Sequence, residues 1–255
     1  MDTATKEGKY IYCIIDSDRQ QSFGPLGIGG RGDELHTICH NGIAALVSDA
    51  PIGKYRVSRE NSLNHEKAIE KAMTKYTALP VRFATVAESE EKVRRILEKE
   101  QDRFKDLLCS IRDKTELGLK AIFKGEVIYR KILEKYEGIK RLKEKIASIA
   151  PEKTHYQRME IGKIVEDALQ AEREIVKTDI LSILRSLAVE VKTNDTYGEL
   201  MIINAAFFVE KNKETDFDQQ VQLIDEKYGE KVTFKYVGPL PPFNFVNISI
   251  NTEDY

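Results

Sequence analysis

The sequence predicts an α+β protein: two lobes with ferredoxin-like features, mostly antiparallel sheets covered by helices, joined by a long helical hairpin. Three observations predict it. Short β-branched and aromatic runs lie toward both ends of the chain. The stretch from Gly125 to Val191 has few aromatics, and its apolar residues recur every three or four positions. After Gly198 a strand–helix–strand pattern appears, half of a β-α-β-β-α-β unit. The resulting partition is 1–124 for an N-terminal α+β domain, 125–195 for a helical hairpin belonging to the C-terminal domain, and 196–255 for a ferredoxin-like α+β portion.

Tyr10-Ile11-Tyr12-Cys13-Ile14-Ile15 is aromatic and β-branched, which predicts a strand buried on both faces. A glycine-rich segment from Phe23 to Gly32 reads as a surface loop. Asn41-Gly42 separates two apolar runs and supplies the positive φ angles of a two-residue hairpin turn. Helical spacing over Ser62 to Thr77 places Ile69, Ala72, Met73 and Tyr76 on one stripe, and Pro80 restores extended structure. Thr85 and Glu88 fit a capping box, predicting a helix whose stripe runs from Val93 through Ile96, Leu97, Phe104 and Leu108. Glu116 to Phe123 alternates as a last strand of the first lobe.

Pro151 divides the central region into a helix of about 25 residues and one of nearly 40, lengths typical of a hairpin, a coiled coil or helices that cover a sheet. The second stripe runs from Ile161 through Val176, Ile180 and Leu184 to Val191. Then come a buried strand over Leu200 to Val209 and a helix over 216–229 with Phe217, Val221, Ile224 and Tyr228 on one face. Val232, Phe234 and Tyr236 alternate on another strand, and Phe245 to Ile250 forms a third.

Composition narrows the function. Forty Lys+Arg against forty-two Asp+Glu give a net charge of -2, without the basic excess that gripping phosphates requires, so no nucleic-acid partner is expected. The longest apolar run is about half of a membrane-spanning helix, and the polar first residues lack a signal-peptide core, so no membrane partner is expected. Cys13, Cys39 and Cys109 are odd in number and widely spaced, which reads as reduced, mostly buried thiols in the cytoplasm.

The chemical motifs are sparse. Gly27-Ile28-Gly29-Gly30-Arg31-Gly32 matches the dinucleotide string GxGxxG, but it follows its strand at a distance and precedes a hairpin rather than a helix. Arg31-Gly32-Asp33 is read as a coincidence of that loop. His36 and His40 on a strand would stand about 13 Å apart, too far to share an ion. His65 and His155 lie among charged residues. No catalytic, cofactor-binding or metal-binding residues are assigned, no cofactor is expected, and the chain is read as no enzyme. Arg82, among apolar neighbours, is given Glu116 as the partner of a structural ion pair. Pro239, Leu240, Pro241, Pro242, Phe243 and Phe245 form a stiff proline-rich segment with two reasonable readings: a rigid corner, or a preformed docking edge for a partner.

The order of segments resembles the GvpL/GvpF family of gas vesicle proteins over nearly the whole chain. The residues carrying the resemblance are Tyr10-Ile11-Tyr12, Gly27 to Gly30, Gly42 to Ser48, the helix with His65, Leu79-Pro80-Val81-Arg82-Phe83-Ala84-Thr85-Val86, Glu116 to Lys120, and Gly238-Pro239-Leu240-Pro241-Pro242-Phe243-Asn244-Phe245-Val246. Two departures are visible. The family commonly has glycine where this chain has Ala84, and Trp and Tyr where it has Leu240 and Phe243.

The resemblance implies a minor, non-catalytic protein of gas vesicle assembly with ferredoxin-like features. It implies as partners the small hydrophobic shell subunit and other accessory proteins, with some members on the gas-facing side of the vesicle. An apolar shell subunit prone to aggregate needs its surface covered before polymerisation, by strand addition or helix docking. The alternative is a small-ligand-binding or enzymatic ferredoxin-like protein, whose mark would be a pocket with converging polar groups around Arg82 or His65.

Overall fold

Cα packing in the computed structural model, which describes residues 6–135, 154–246 and 248–255 and the single positions 138, 141 and 149, divides the chain into two units. One comprises Met1–Glu116 with Pro239–Tyr255, the other Leu117–Gly238. The divisions therefore fall inside one strand and near the end of another.

The first unit is built on strand β1 (Glu7–Ile15), which pairs antiparallel with three neighbours. With β2 (Ser22–Gly24), β3 (Leu35–His40), β4 (Ile43–Pro51) and β5 (Ala78–Pro80) the order is β2-β3-β4-β1-β5, and β6 (Val86–Ala87) also pairs with β1. Tyr10 through Ile15 are fully buried, as a central strand made almost wholly of large apolar residues must be. At the β3–β4 hairpin Asn41 and Gly42 take φ of 44° and 89°, and His40 faces Ile43 across the turn. Asparagine and glycine tolerate that left-handed backbone.

Helix α1 (Arg59–Met73) starts one turn earlier than its apolar stripe suggests, because the Ser58 side chain caps it by accepting from the Asn61 N–H at 3.2 Å. Its Ala68, Ile69 and Ala72 pack on the sheet face that carries Tyr10 and Tyr12. The expected single helix after Thr85 is two, α2 (Glu90–Lys99) and α3 (Gln101–Ile111). Ser89, not Thr85, caps the first, accepting from the Lys92 N–H, while the Thr85 hydroxyl donates to the Arg82 carbonyl. Both hydroxyl residues are competent caps, and the pairing of β6 with β1 decides between them. The glycine-rich loop is tied down: Ile28 is 1% exposed and its N–H donates to the Tyr12 hydroxyl at 2.7 Å.

The second unit contains β7 (Lys114–Phe123), α4 (Gly125–Lys135), α5 (His155–Arg185), β8 (Glu190–Thr193), β9 (Met201–Glu210), α6 (Glu214–Tyr228) and β10 (Val232–Leu240). The sheet order is β10-β7-β9-β8. Counted along the unit this is fourth, first, third, second, the arrangement of a β-α-β-β-α-β ferredoxin-like unit whose first helix position holds α4 and α5. Helices α4 and α5 pack on each other, and α5 also packs on β9 and α6. Leu117, Leu119, Ala121 and Phe123 of β7 join Val176, Ile180 and Leu184 of α5 and Phe207 of β9 in one core.

Three expectations change here. β7 serves the second sheet rather than closing the first, because alternation shows which face of a strand is buried and not which sheet it joins. Val191 belongs to β8, not to the long helix, which ends at Arg185. Among the described residues, the tail from Phe245 adds no third strand to the second sheet. It lies in the first unit, where Ile248 makes an isolated parallel bridge to Val81. The part of the first long helix expected beyond Lys135 lies outside the described residues apart from positions 138, 141 and 149. All three cysteines are free, but Cys109 is exposed rather than buried.

Candidate functional site

A cavity of about 460 Å³ opens in the first unit, within the size range of ligand-binding clefts. Helix α1 contributes Ser62, His65 and Glu66 along one wall, where positions three or four apart share a face. The segment that leaves β5, Pro80 to Phe83, forms another wall. Phe243 and Val246 come from the C-terminal tail, and Val57 from the chain just before α1. Val57 is 81% exposed and Phe243 42%, so both hold apolar surface in water at this cavity.

His65 is 4% exposed and sits among four rings. Tyr12 and Phe243 stack on it with centroids 5.7 and 6.4 Å away, while Tyr10 and Phe83 approach edge-on. Its hydrogen bonds fix its tautomer. The Val81 carbonyl can only accept, so His65 Nε2 at 3.2 Å carries the proton. Nδ1 then accepts from the Tyr10 hydroxyl at 3.1 Å, and that hydroxyl in turn accepts from the Ala84 N–H at 2.9 Å. Burial lowers the imidazole pKa to about 4, against a smaller opposing effect of the Val81 carbonyl. Burial likewise pushes the Tyr12 hydroxyl up to about 12, and that hydroxyl bonds Ser48 and Ile28. His65 is thus a neutral structural link between α1, β1 and the Val81–Ala84 segment, with both nitrogens occupied.

Ala84 has a φ of 66°, in the left-handed region that favours glycine. Its N–H must point at Tyr10 to complete the chain of bonds. A glycine at this position in the resembled family thereby acquires a backbone reason.

The pair assigned from sequence is not joined among the described residues. Arg82 is exposed at the cavity, where its guanidinium keeps its hydration and needs no carboxylate. Glu116 is 3% exposed and receives Asn244 instead, from the backbone N–H at 2.9 Å and from Nδ2 at 2.5 Å. Glu116 therefore pins the turn that carries Phe243. Within the proline segment Pro241 and Pro242 are buried, Leu240 and Phe245 are half-buried, and Pro239 and Phe243 are exposed. The Phe245 and Val246 N–H groups both donate to the Pro242 carbonyl, so the corner is also a hydrogen-bonded turn.

Glu66 lines the cavity with its pKa raised, first by burial and then by Glu70. The remaining ionisable lining group is Arg82. Among the described residues, no group of three or more His, Cys, Asp or Glu is placed to hold a metal ion, and no helix is long and apolar enough to cross a membrane. The nearest thing to the mark set for a ligand-binding protein is present: a cavity does lie at Arg82 and His65. Its lining is mainly apolar. Reading the sequence missed Val57, Ser62 and Glu66. The available signal was Val57 itself, an apolar residue outside any stripe among the basic residues Lys54, Arg56 and Arg59.

The family described as Gas vesicle synthesis protein GvpL/GvpF matches residues 8–247. Among curated proteins, gas vesicle protein F of Nostoc sp. (strain PCC 7120) is 29% identical over 245 residues, covering 95% of this chain and 99% of that protein. Gas vesicle protein F of Dolichospermum flosaquae is 26% identical, covering 94% and 97%. The crystal structure of gas vesicle protein GvpF from Anabaena sp. PCC7120 superposes with a TM-score of 0.78 at 26% identity, covering 96% of this chain and all of that one. That of GvpF from Microcystis aeruginosa gives 0.72 at 24% identity, covering 93% and 98%, a likeness of fold.

Proposed function

From the premise that this chain belongs to the GvpL/GvpF family of gas vesicle synthesis proteins, and so has an accessory role in gas vesicles, we propose that it works by binding. It takes up the hydrophobic shell subunit, and meets other accessory proteins, while the vesicle is being formed in the cytoplasm. A place on the gas-facing side of the finished shell is the corresponding reading of its location. The docking edge is the proline corner, from Pro239 and Leu240 through Pro241 and Pro242 to Phe243 and Phe245.

The observation that carries the reading is the cavity, whose exposed Val57 and Phe243 offer apolar surface beside a stiff corner. Buried prolines and the Glu116–Asn244 bonds hold Phe243 in place before any partner arrives, which reduces the ordering cost of binding. Catalysis is not part of the proposal, since both nitrogens of His65 are occupied and, among the described residues, no nucleophile–base pair is assembled at the cavity.

Co-expression tests this. The shell subunit is expected in the soluble fraction when the full chain accompanies it, and in the pellet when it is alone. Equal precipitation in both cases sinks the proposal. The cavity also gives the small-ligand reading a specific footing, and a thermal-shift screen with nucleotides, haem and metal ions addresses it. A shift of several degrees with one compound would favour that reading.

A further inference from the structure

We propose that the cavity of the first unit receives an apolar segment of the partner polypeptide bearing an acidic side chain, whose carboxylate meets Arg82 and the basic residues beside Val57. The inference rests on the binding role proposed above and adds the place and the chemistry.

Three observations converge. The cavity's apolar lining is continued outward by Val57 and Phe243 rather than capped by polar residues. An apolar rim around a concave site marks a surface meant to be covered. Second, exposed cations lie at the cavity and beside Val57 in the chain. Arg82 is exposed at the cavity, and Lys54, Arg56 and Arg59, all exposed, flank Val57 in the chain. None of these four forms an ion pair among the described residues, whereas Arg31, Arg94, Arg95 and Arg103 of the same unit are each paired with a carboxylate.

Third, one acid lines the cavity itself. Glu66 is that acid, its pKa raised by burial and by Glu70, and Glu60 stands exposed at the start of α1. A set of four cations with no carboxylate partner among the described residues stands out in a chain of net charge -2. It selects an acidic partner and works against a basic one.

The test uses the sign of a charge at one exposed position. Val57→Asp and Val57→Lys both remove the apolar contact and both leave the fold alone, since the side chain is 81% exposed. The full-length variants are co-expressed with the shell subunit of the same vesicle system, and the subunit recovered with the chain is measured at low and high salt. Unchanged melting temperatures establish that the variants are folded.

Val57→Asp is expected to lower recovery about tenfold, and Val57→Lys to stay within about twofold of the wild type at low salt. Arg82→Gln is expected to lower recovery and to flatten its salt dependence. Equal loss for Asp and Lys at position 57 overturns the acidic partner, and full recovery with all three variants overturns the cavity as the docking place. In both cases the binding role itself survives, because the wild type still recovers the subunit. No recovery by the wild type overturns that role and this inference together.

Discussion

The two units build their cores from different materials. The first has Tyr10, Tyr12, His65 and Ser48 inside, wired by hydroxyl and imidazole hydrogen bonds, and a cavity opens beside them. The second packs Leu117, Leu119, Val176, Ile180, Leu184, Phe207 and Phe217 with no side-chain polar network among them. The contrast separates two tasks. An apolar core tolerates many substitutions if volume is conserved, and supplies stability. A wired core costs more when one member is lost, but it fixes where each ring and each backbone N–H points. The first unit needs that fixity, because His65, Phe83 and Phe243 set the shape of the cavity.

Truncation should show the contrast most strongly. Phe207 is fully buried against Phe217, with ring centroids 5.1 Å apart. Phe207→Ala is expected to destabilise the second unit by about 3–5 kcal/mol, with no pH dependence. Chemical denaturation followed by hydrogen exchange, which reads the two units separately, checks it.

The first unit should instead respond to acid. The folded pKa of His65 is about 4, below its ordinary 6.5, so between those values the unfolded chain binds a proton that the folded chain refuses. Stability from this group is complete above pH 6.5 and is lost as pH falls toward 4, by about 3 kcal/mol. His65→Leu should remove the slope in that window. An equal slope in the variant would place the acid sensitivity elsewhere.

Tyr10→Phe leaves the Ala84 N–H and His65 Nδ1 without their shared partner, at an expected cost of about 1–3 kcal/mol. Shifts in the histidine ring resonances would report the same break by NMR. The smallest expected effect is a gain: Ala84→Gly relieves a left-handed alanine and should stabilise by about 0.5–1 kcal/mol, read as a higher melting temperature.

The sequence made much of this fold legible where one local rule sufficed. Asn41-Gly42 dictates its hairpin by backbone conformation alone, and the spacing of Phe217, Val221 and Ile224 places α6 to within a turn. What escaped depends on which strand meets which. β7 alternates cleanly, yet nothing in its residues says that it lies between β10 and β9. The tail from Phe245 reads as a strand but, among the described residues, makes an isolated bridge to Val81, since its place is decided by residues more than 160 positions earlier.

The site was legible in its parts rather than in its connections. Arg82, His65 and Phe243 were each singled out, and all three line the cavity. Their partners were missed. A histidine on a charged helix gives no sign that its nitrogens will find Tyr10 and Val81. An apolar-flanked arginine looks buried until the fold turns it outward. Glu116 was assigned to Arg82 by charge, while the fold gives its carboxylate to a backbone and a side-chain amide of Asn244.

Under the proposed function it is the first unit, through its cavity, that grips a partner during vesicle formation. Complementation reads this directly: a gas vesicle–forming strain lacking its own copy is supplied with the wild type or with Val57→Asp, and pressure-collapsible turbidity is measured. The wild type should restore vesicles, and the folded Val57→Asp chain should restore few or none. Full restoration by Val57→Asp would contradict the claim.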